Sequence, residues 1–358
     1  MQPALIKGLT IIHYMNSQIE GDFIMDKIGK QNRIKRILAV RGMGQVITVT
    51  IGLIILCIVF SIVNPIFFSA KNIANLLRQI APILIIGIGQ SYVLITGNID
   101  LSIGSVVGMS CMISATMMTK GVNPWAAVLV TFICCLTVGI LNGELVSRCK
   151  LPPFIATLGT MTIARGIAQI VNNNYNTGSI GEAAKGFRNF FYYGKTAGIY
   201  NAIWITIVLW VVFNFLLSKT RTGRHIYAIG SNVDAARLSG VNVHGTTIKV
   251  YMISAICACT VGLMTCATTG MGTMDAGNGY EMYAVAASVI GGVSTLGGQG
   301  ILLGTVVGAS IWGVLQNGLQ FAGAPVAIRN ITIGIIVVVS VLLDVVVRTG
   351  KHRKKKAS

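Results

Sequence analysis

The chemistry open to this chain rests on a few polar side chains set among long apolar runs. Gln90, Asn98, Asp100, Thr157, Thr160, Arg165, Gln169, Asn214, Asn317 and Asp344 sit in or at the ends of such runs. An ionisable group placed in hydrocarbon costs at least ~2.5 kcal/mol, so it faces protein or water and finds a partner. Asn98, Asp100, Thr157 and Arg165 are candidates for the lining of a path through the structure. Two of them have an equally concrete structural reading, and the residues taken singly favour it. Arg165 is the one cation deep in an apolar run, and a carboxylate or a set of helix-end carbonyls would account for it. Asp100 stands at a glycine-bounded helix start, where a carboxylate serves as N-cap.

Several chemistries are excluded. The acids are scattered and no histidine lies in an apolar run, so no proton relay can be assembled. His13, His225, His244 and His352 fall in the termini or in one polar insert. No nucleophile–base pair is visible, so the chain is not read as an enzyme. Seven of the eight cysteines lie in apolar segments and Cys149 lies in a basic loop. That is neither a disulfide framework nor, with these histidines, a metal site. They read as small packing residues. Gly194-Lys195-Thr196 resembles the end of a phosphate-binding loop, but Asn189 stands where the earlier glycine is required, so no nucleotide site is expected.

The second candidate site is a hydrophilic stretch, KTRTGRHIYAIGSNVDAARLSGVNVHGTT, from Lys219 to Thr247. Thr220 to Arg224 reads as a basic turn and Ser231 to Gly240 as a short helix. Ser231 is the expected N-cap, with Asp234 three places on, close to a capping box. Ala235, Ala236 and Leu238 favour helix, and Gly240 is a good stop. Ala235, Ala236 and Ser239 leave a surface that another protein can approach closely. A helix this short is marginal alone. It lies either on a partner or on the membrane surface.

The elements that position these residues follow from composition. The 358 residues are 53% hydrophobic and 11% charged, with mean hydropathy +0.74. This excludes an ordinary soluble domain and predicts an all-α polytopic membrane protein in contact with lipid. The net charge of +18 does not imply nucleic acid, because the basic residues lie between and beyond the apolar runs. About ten spans of about 20 residues fit the length. They are expected near 46–63, 80–96, 101–118, 125–141, 154–171, 202–218, 248–268, 281–292, 299–321 and 328–346. The eighth is short and flanked by glycine, and reads as a half-helix or re-entrant segment. Non-helical backbone at that depth survives only if protein covers it or it faces a cavity.

Lysine and arginine set the orientation. A basic segment over 1–45, Arg148 and Lys150, the 219–247 loop and the basic tail 347–358 fall on one side if the spans number ten. That side is expected to be the cytoplasm, with both termini. Residues 172–201 form the main external loop. Its Phe187, Phe190, Phe191, Tyr192 and Tyr193 read as an interfacial aromatic belt, or else as a docking face. Met25, followed by DKIGKQNRIKRI, reads as a natural start, with residues 1–24 an extension.

Two stretches look alike. GNIDLSIGSVVGMS (97–110) aligns with GGQGILLGTVVGAS (297–310), and Asn142-Gly143 and Asn317-Gly318 occupy comparable places at run ends. Transporters are often built from such repeats. Gly104 and Gly108, and Gly300, Gly304 and Gly308, are expected to put small residues on one face of each helix, so that backbones pack closely.

In combination, ITGNIDLSIGSVVG (95–108), LPPFIATLGTMTIARGIA (151–168), TRTGRHIYAIGSNVDAARLSGVNV (220–243) and VIGGVSTLGGQGILLGTVVGA (289–309) resemble the membrane permease subunit of bacterial ATP-binding-cassette (ABC) sugar importers of the ribose/galactose type. The resemblance covers about residues 45 to 347. It implies a fold similar to the ten-span vitamin B12 type of importer permease, over a permease domain of residues 46–346. It implies a bacterial inner-membrane location and a dimer of two permease copies. The partners it implies are a separate ATPase subunit, which binds ATP and Mg, and an external substrate-binding protein. It implies no cofactor on this chain. On this resemblance Asp234, Ala235, Ala236, Arg237 and Gly240 couple the chain to the ATPase, and a small sugar moves inward by alternating access. The competing expectation, from span count alone, is a secondary transporter of a small polar solute that needs no ATPase.

Overall fold

The structure, a computed structural model, describes residues 43–329 and scattered positions from 331 to 342. Residues 1–42 of the basic N-terminal segment, Asp344 and the tail 347–358 lie outside the described residues, as does part of the last expected run.

The helices that matter here are α1 (Met43–Val63), α2 (Ala70–Ile95), α3 (Ile103–Thr119), α4 (Pro124–Ser147), α5 (Pro153–Ile170), α6 (Asn201–Lys219), α7 (Arg221–Ser231), α8 (Val233–Leu238), α9 (Val243–Thr269), α10 (Tyr280–Ile290) and α11 (Leu302–Phe321). Among the described residues the architecture is all-helical, apart from a short hairpin pairing Lys195–Thr196 with Ile199–Tyr200. Among the described residues α1, α2, α4, α6, α9 and α11 are long and apolar enough to cross a membrane. α3 and α10 are shorter apolar helices. α5, diluted by Arg165, Gln169 and three threonines, is not in the first group.

Local sequence explains the boundaries. The Ser69 and Asn123 side chains accept N–H groups at the starts of α2 and α4. Pro124 and Pro153 occupy the first helical positions of α4 and α5, where a missing N–H costs nothing. α9 starts at Asn242, whose side chain accepts from Gly245 N, and stops at left-handed Gly270. α2 and α9 are buried along most of their length and form the centre, with α3, α4, α10 and α11 packed around them. α1, α4 and α6 instead expose Ile54, Ile62, Leu129, Ile133 and Phe215, the apolar surface expected of helices facing lipid or another apolar partner. Phe60, Phe67, Ile311 and Leu315 join α1 to α11.

The short eighth run is a helix preceded by extended and turning backbone. α10 begins only at Tyr280, after left-handed Gly277 and Gly279. The lead-in, residues 270–279, runs along α3. A Cβ at Gly108 would overlap the Ala276 carbonyl, and one at Gly104 would overlap the Gly277 carbonyl and the Glu281 carboxylate. Gly104 lies roughly 20 Å from the Thr119 end of α3 at 1.5 Å per residue, so the non-helical segment reaches deep into the bundle. Protein covers Gly270, Gly272, Ala276 and Gly277, while Asp275 and Asn278 stay exposed. Thr177 N–H and Gly272 O pair at 3.0 Å, Ile180 N–H donates to Gly270 O, and Met274 N–H donates to Asn176 Oδ1.

Three expectations change. Gly300 is not on a helix face with Gly304 and Gly308. It lies before α11 with φ +144, because the chain is still turning there and helix begins at Leu302. Gly304 and Gly308 do provide close approach, against the backbone of Gly291 and Ala287 at the end of α10. The two repeat signals also need different registers. The glycine match pairs α3 with α11, whereas Asn142 and Asn317 lie near the ends of α4 and α11. Their settings differ too. Asn317 exchanges amide hydrogen bonds with Asn72, and Asn142 bonds Ser102 and Thr160. Finally, the aromatics of the long loop do not form one belt. Phe187 and Phe191 are buried against each other, and Arg78 stacks on Tyr192 and Tyr200. Phe190 and Tyr193 keep exposed faces.

Candidate functional site

The polar insert folds as two consecutive helices. α7 is N-capped by Thr220, whose hydroxyl accepts from Gly223 N at 3.3 Å. Only Asn232 separates α7 from α8, and Asn232, not Ser231, is the N-cap of α8. Its backbone is extended and its Oδ1 accepts from Ala235 N at 2.9 Å. Ser231 is still helical, and its hydroxyl donates back to Tyr227 O. At the other end Gly240 N–H donates to Arg237 O and Val241 N–H to Ala236 O, both at 3.0 Å. This is the Schellman closure. Gly240 has φ +80 and open space around it, so its role is conformational.

The faces of α8 are now assigned. Ala236 is buried and anchors the helix, while Asp234, Ala235, Arg237 and Ser239 point outward. Arg237 and Asp234 form an exposed pair at 3.4 Å. The residue missed by sequence reasoning is Leu238. At 90% exposure it is the most exposed of the large hydrophobic residues among those described. It sits on the polar insert rather than on a lipid-facing helix. Counted for helix propensity alone, it gave no sign of which face it would occupy.

The insert is tied to the bundle at both ends. Tyr227 OH donates to Gly300 O at 2.6 Å. Burial pushes its phenol up to about 12, so it remains a donor near neutral pH. A Cβ at Gly230 would overlap Ile95 O and the Gly298 N–H. At the far end His244 Nδ1 hydrogen bonds Ser147 Oγ at 2.8 Å.

The four candidate path residues separate into three settings. Asn98 is half-buried and donates to Thr96 Oγ1 at 2.9 Å. Asp100 is buried and takes three donors: Ser102 N–H at 2.9 Å and Ser102 O–H at 2.6 Å on Oδ1, and Ser254 O–H at 2.7 Å on Oδ2. Ser102 Oγ in turn accepts from Asn142 Nδ2, whose Oδ1 accepts from Thr160 O–H. The network links the start of α3 with α4, α5 and α9. Thr157 lies one turn from Thr160, but its own hydroxyl donates to Pro153 O. Asp100 is therefore not the N-cap of α3: that position is Ser102, and Asp100 accepts the N–H and O–H of Ser102 itself, ahead of the first helical residue Ile103. Asn142 was readable only as half of a repeat, because nothing local reveals its partners on other helices.

Arg165 is apart from this network. Its Nη1 donates to Met274 O at 2.6 Å and Ala276 O at 3.0 Å, the orphan carbonyls of the lead-in to α10. The helix-end-carbonyl reading of Arg165 is the geometry found, with broken backbone in place of a helix end. Gly108 leaves room for the guanidinium.

No cluster of three or more His, Cys, Asp or Glu able to hold a metal occurs among the described residues. The family described as "Branched-chain amino acid transport system / permease component" matches residues 72–341. The ribose import permease protein RbsC of Bacillus subtilis is 36% identical over 306 residues, 85% of this chain and 94% of its own length. The D-allose transport system permease protein AlsC of Escherichia coli K12 is 32% identical over 294 residues, covering 82% and 89%. The galactose/methyl galactoside import permease protein MglC of Haemophilus influenzae is 32% identical over 313 residues, covering 82% and 90%. No solved structure matches. Matched over most of its length by both family and relatives, the chain belongs to the branched-chain amino acid transport system permease family and is a multi-pass membrane permease.

Proposed function

We propose that this chain is the permease subunit of an ATP-driven ABC importer that moves a ribose-, allose- or galactose-like sugar into the cytoplasm by alternating access. The family description names amino acids, but the relatives compared are sugar permeases. In this reading the protein has ten spans of the vitamin B12 importer type, with both termini and the α7–α8 insert in the cytoplasm. Two permease copies pair in the inner membrane. A separate ATPase binds ATP and Mg, and an external binding protein delivers the sugar. Asn98, Asp100, Thr157 and Arg165 lie near the route between the two access states.

The observation that carries the reading is Leu238. A leucine 90% exposed on a capped polar helix matches a partner with an apolar cleft. Asp234, Ala235, Arg237 and Gly240 form the rim of that contact, and Ala236 holds it to the bundle. Burying a leucine side chain is worth about 2 kcal/mol, so Leu238→Asp is expected to weaken ATPase binding roughly thirtyfold. Gly240→Trp adds backbone strain at φ +80 and is expected to act in the same direction. The test is co-purification of the full chain with the ATPase in mild detergent, followed by sugar uptake into proteoliposomes. Uptake by Leu238→Asp equal to wild type, or uptake without any ATPase, would sink the importer reading.

A further inference from the structure

The last turn of α7 touches two segments that belong to different parts of the bundle. One is residues 95–98, which lead to Asp100. The other is residues 294–300, which join α10 to α11. The contacts are backbone against backbone. A Cβ at Gly230 would overlap Ile95 O and the Gly298 N–H. One at Gly297 would overlap Gly230 O and the backbone of Gly97. Gly298 N–H donates to Ile95 O at 2.8 Å, tying the two segments to each other. Tyr227 OH holds Gly300 O from α7. Gly97, Gly297, Gly298 and Gly300 all have positive φ, so the crossing depends on left-handed backbone as well as small size.

Each segment leads onward without slack. Beyond 294–300, Gly304 and Gly308 of α11 lie directly on the Gly291 and Ala287 backbone of α10. Beyond 95–98, Asp100 holds Ser254 of α9 and, through Ser102 and Asn142, reaches Thr160 of α5. α8 follows α7 after the single residue Asn232. A push on α8 therefore reaches α10, α11 and the Asp100 network with no long, rotatable side chain except Tyr227 in between. Packed contacts of this kind shift as units rather than deform.

We infer that Tyr227, Gly230, Gly297 and Gly298 form a backbone clutch that turns displacement of the insert into movement of the α10–α11 pair and of the Asp100 loop. Tyr227 is a positioning residue in it. The inference rests on the importer reading, in which an ATPase moves the insert.

The test uses the full complex in proteoliposomes, with ATPase and sugar-loaded binding protein, and measures ATP hydrolysis and uptake together. Tyr227→Phe removes the bond to Gly300 O and keeps the ring. It is expected to retain the ATPase and hydrolyse ATP normally, while uptake per ATP falls roughly fivefold, the weight of one ordinary hydrogen bond. Gly298→Ala, at φ +69 and against Ser231, is expected to uncouple further. Unchanged uptake per ATP in both variants overturns the clutch. So does a parallel loss of uptake and hydrolysis together with lowered thermal stability, which is the mark of a purely structural contact. A wild-type chain that never retains the ATPase overturns the importer reading, and the clutch falls with it. A wild-type complex that couples, beside Tyr227→Phe and Gly298→Ala complexes that couple equally, overturns the clutch alone.

Discussion

Replacing Arg165 by leucine is expected to release the segment that leads into α10. Arg165 Nη1 serves the carbonyls of Met274 and Ala276, which have no helix to satisfy them. In a membrane interior each unsatisfied backbone group costs several kcal/mol. The substitution also removes a cation whose burial itself costs at least ~2.5 kcal/mol, so the net loss of global stability is smaller than the loss of local order. The decisive measurement is therefore local. A cysteine placed at the buried Ala276 is expected to react with a maleimide at least about tenfold faster in the Arg165→Leu background. That factor corresponds to about 1.4 kcal/mol of easier opening. Arg165→Lys supplies a single ammonium group in place of the planar guanidinium and is expected to fall between. Equal reactivity in all three backgrounds would show that the lead-in does not depend on Arg165.

Asp100→Ala is expected to be the most destabilising single change outside the glycine contacts. Three donors lose their acceptor together: Ser102 N–H, Ser102 O–H and Ser254 O–H. Stranding a buried polar group costs about 1–3 kcal/mol each, against a total stability on the order of 5–15 kcal/mol. A fall of about 10 °C in the midpoint of thermal unfolding in detergent, with reduced yield, is the expected result. Asp100→Asn keeps one oxygen for the two Ser102 donors, while the Ser254 hydroxyl can rotate to accept from the new amide. It is expected to recover most of the loss. An Asp100→Ala protein as stable as wild type would mean the network contributes little.

Particular residues mark what the sequence made legible. The apolar runs were readable because their periodic, nearly unbroken hydrophobicity needs no knowledge of neighbours. The short eighth run was readable as a break because Gly277, Gly279, Gly291 and Gly292 bracket it. Arg165 was readable as a partner for a carboxylate or for loose carbonyls because a lone cation in an apolar run has few alternatives, though which of the two, and which carbonyls, depended on a loop more than a hundred residues later. The short helix of the insert was placed correctly, but its cap moved by one residue. Ser231 and Asn232 are both good caps, and only the extended backbone at Asn232 decides between them. The inward turn of Ala236 and the outward turn of Leu238 depend on which face meets the bundle. Propensity cannot supply that. The role of Gly230 was invisible for the same reason, since its neighbours Ile95 and Gly298 are distant in sequence.

The broken segment before α10 also constrains how the protein is made. A continuous apolar helix satisfies its own backbone and can enter a bilayer alone. Residues 270–279 cannot, because their polar groups are met by Arg165, Thr177 and Asn176 and their path is cut by Gly104 and Gly108. All of these are synthesised earlier, so the receptor exists before the segment leaves the ribosome. Biogenesis is thereby ordered along the chain. Splitting the gene just before α6 and supplying the halves separately would leave the second half with a stretch that no lipid can accept until it meets the first.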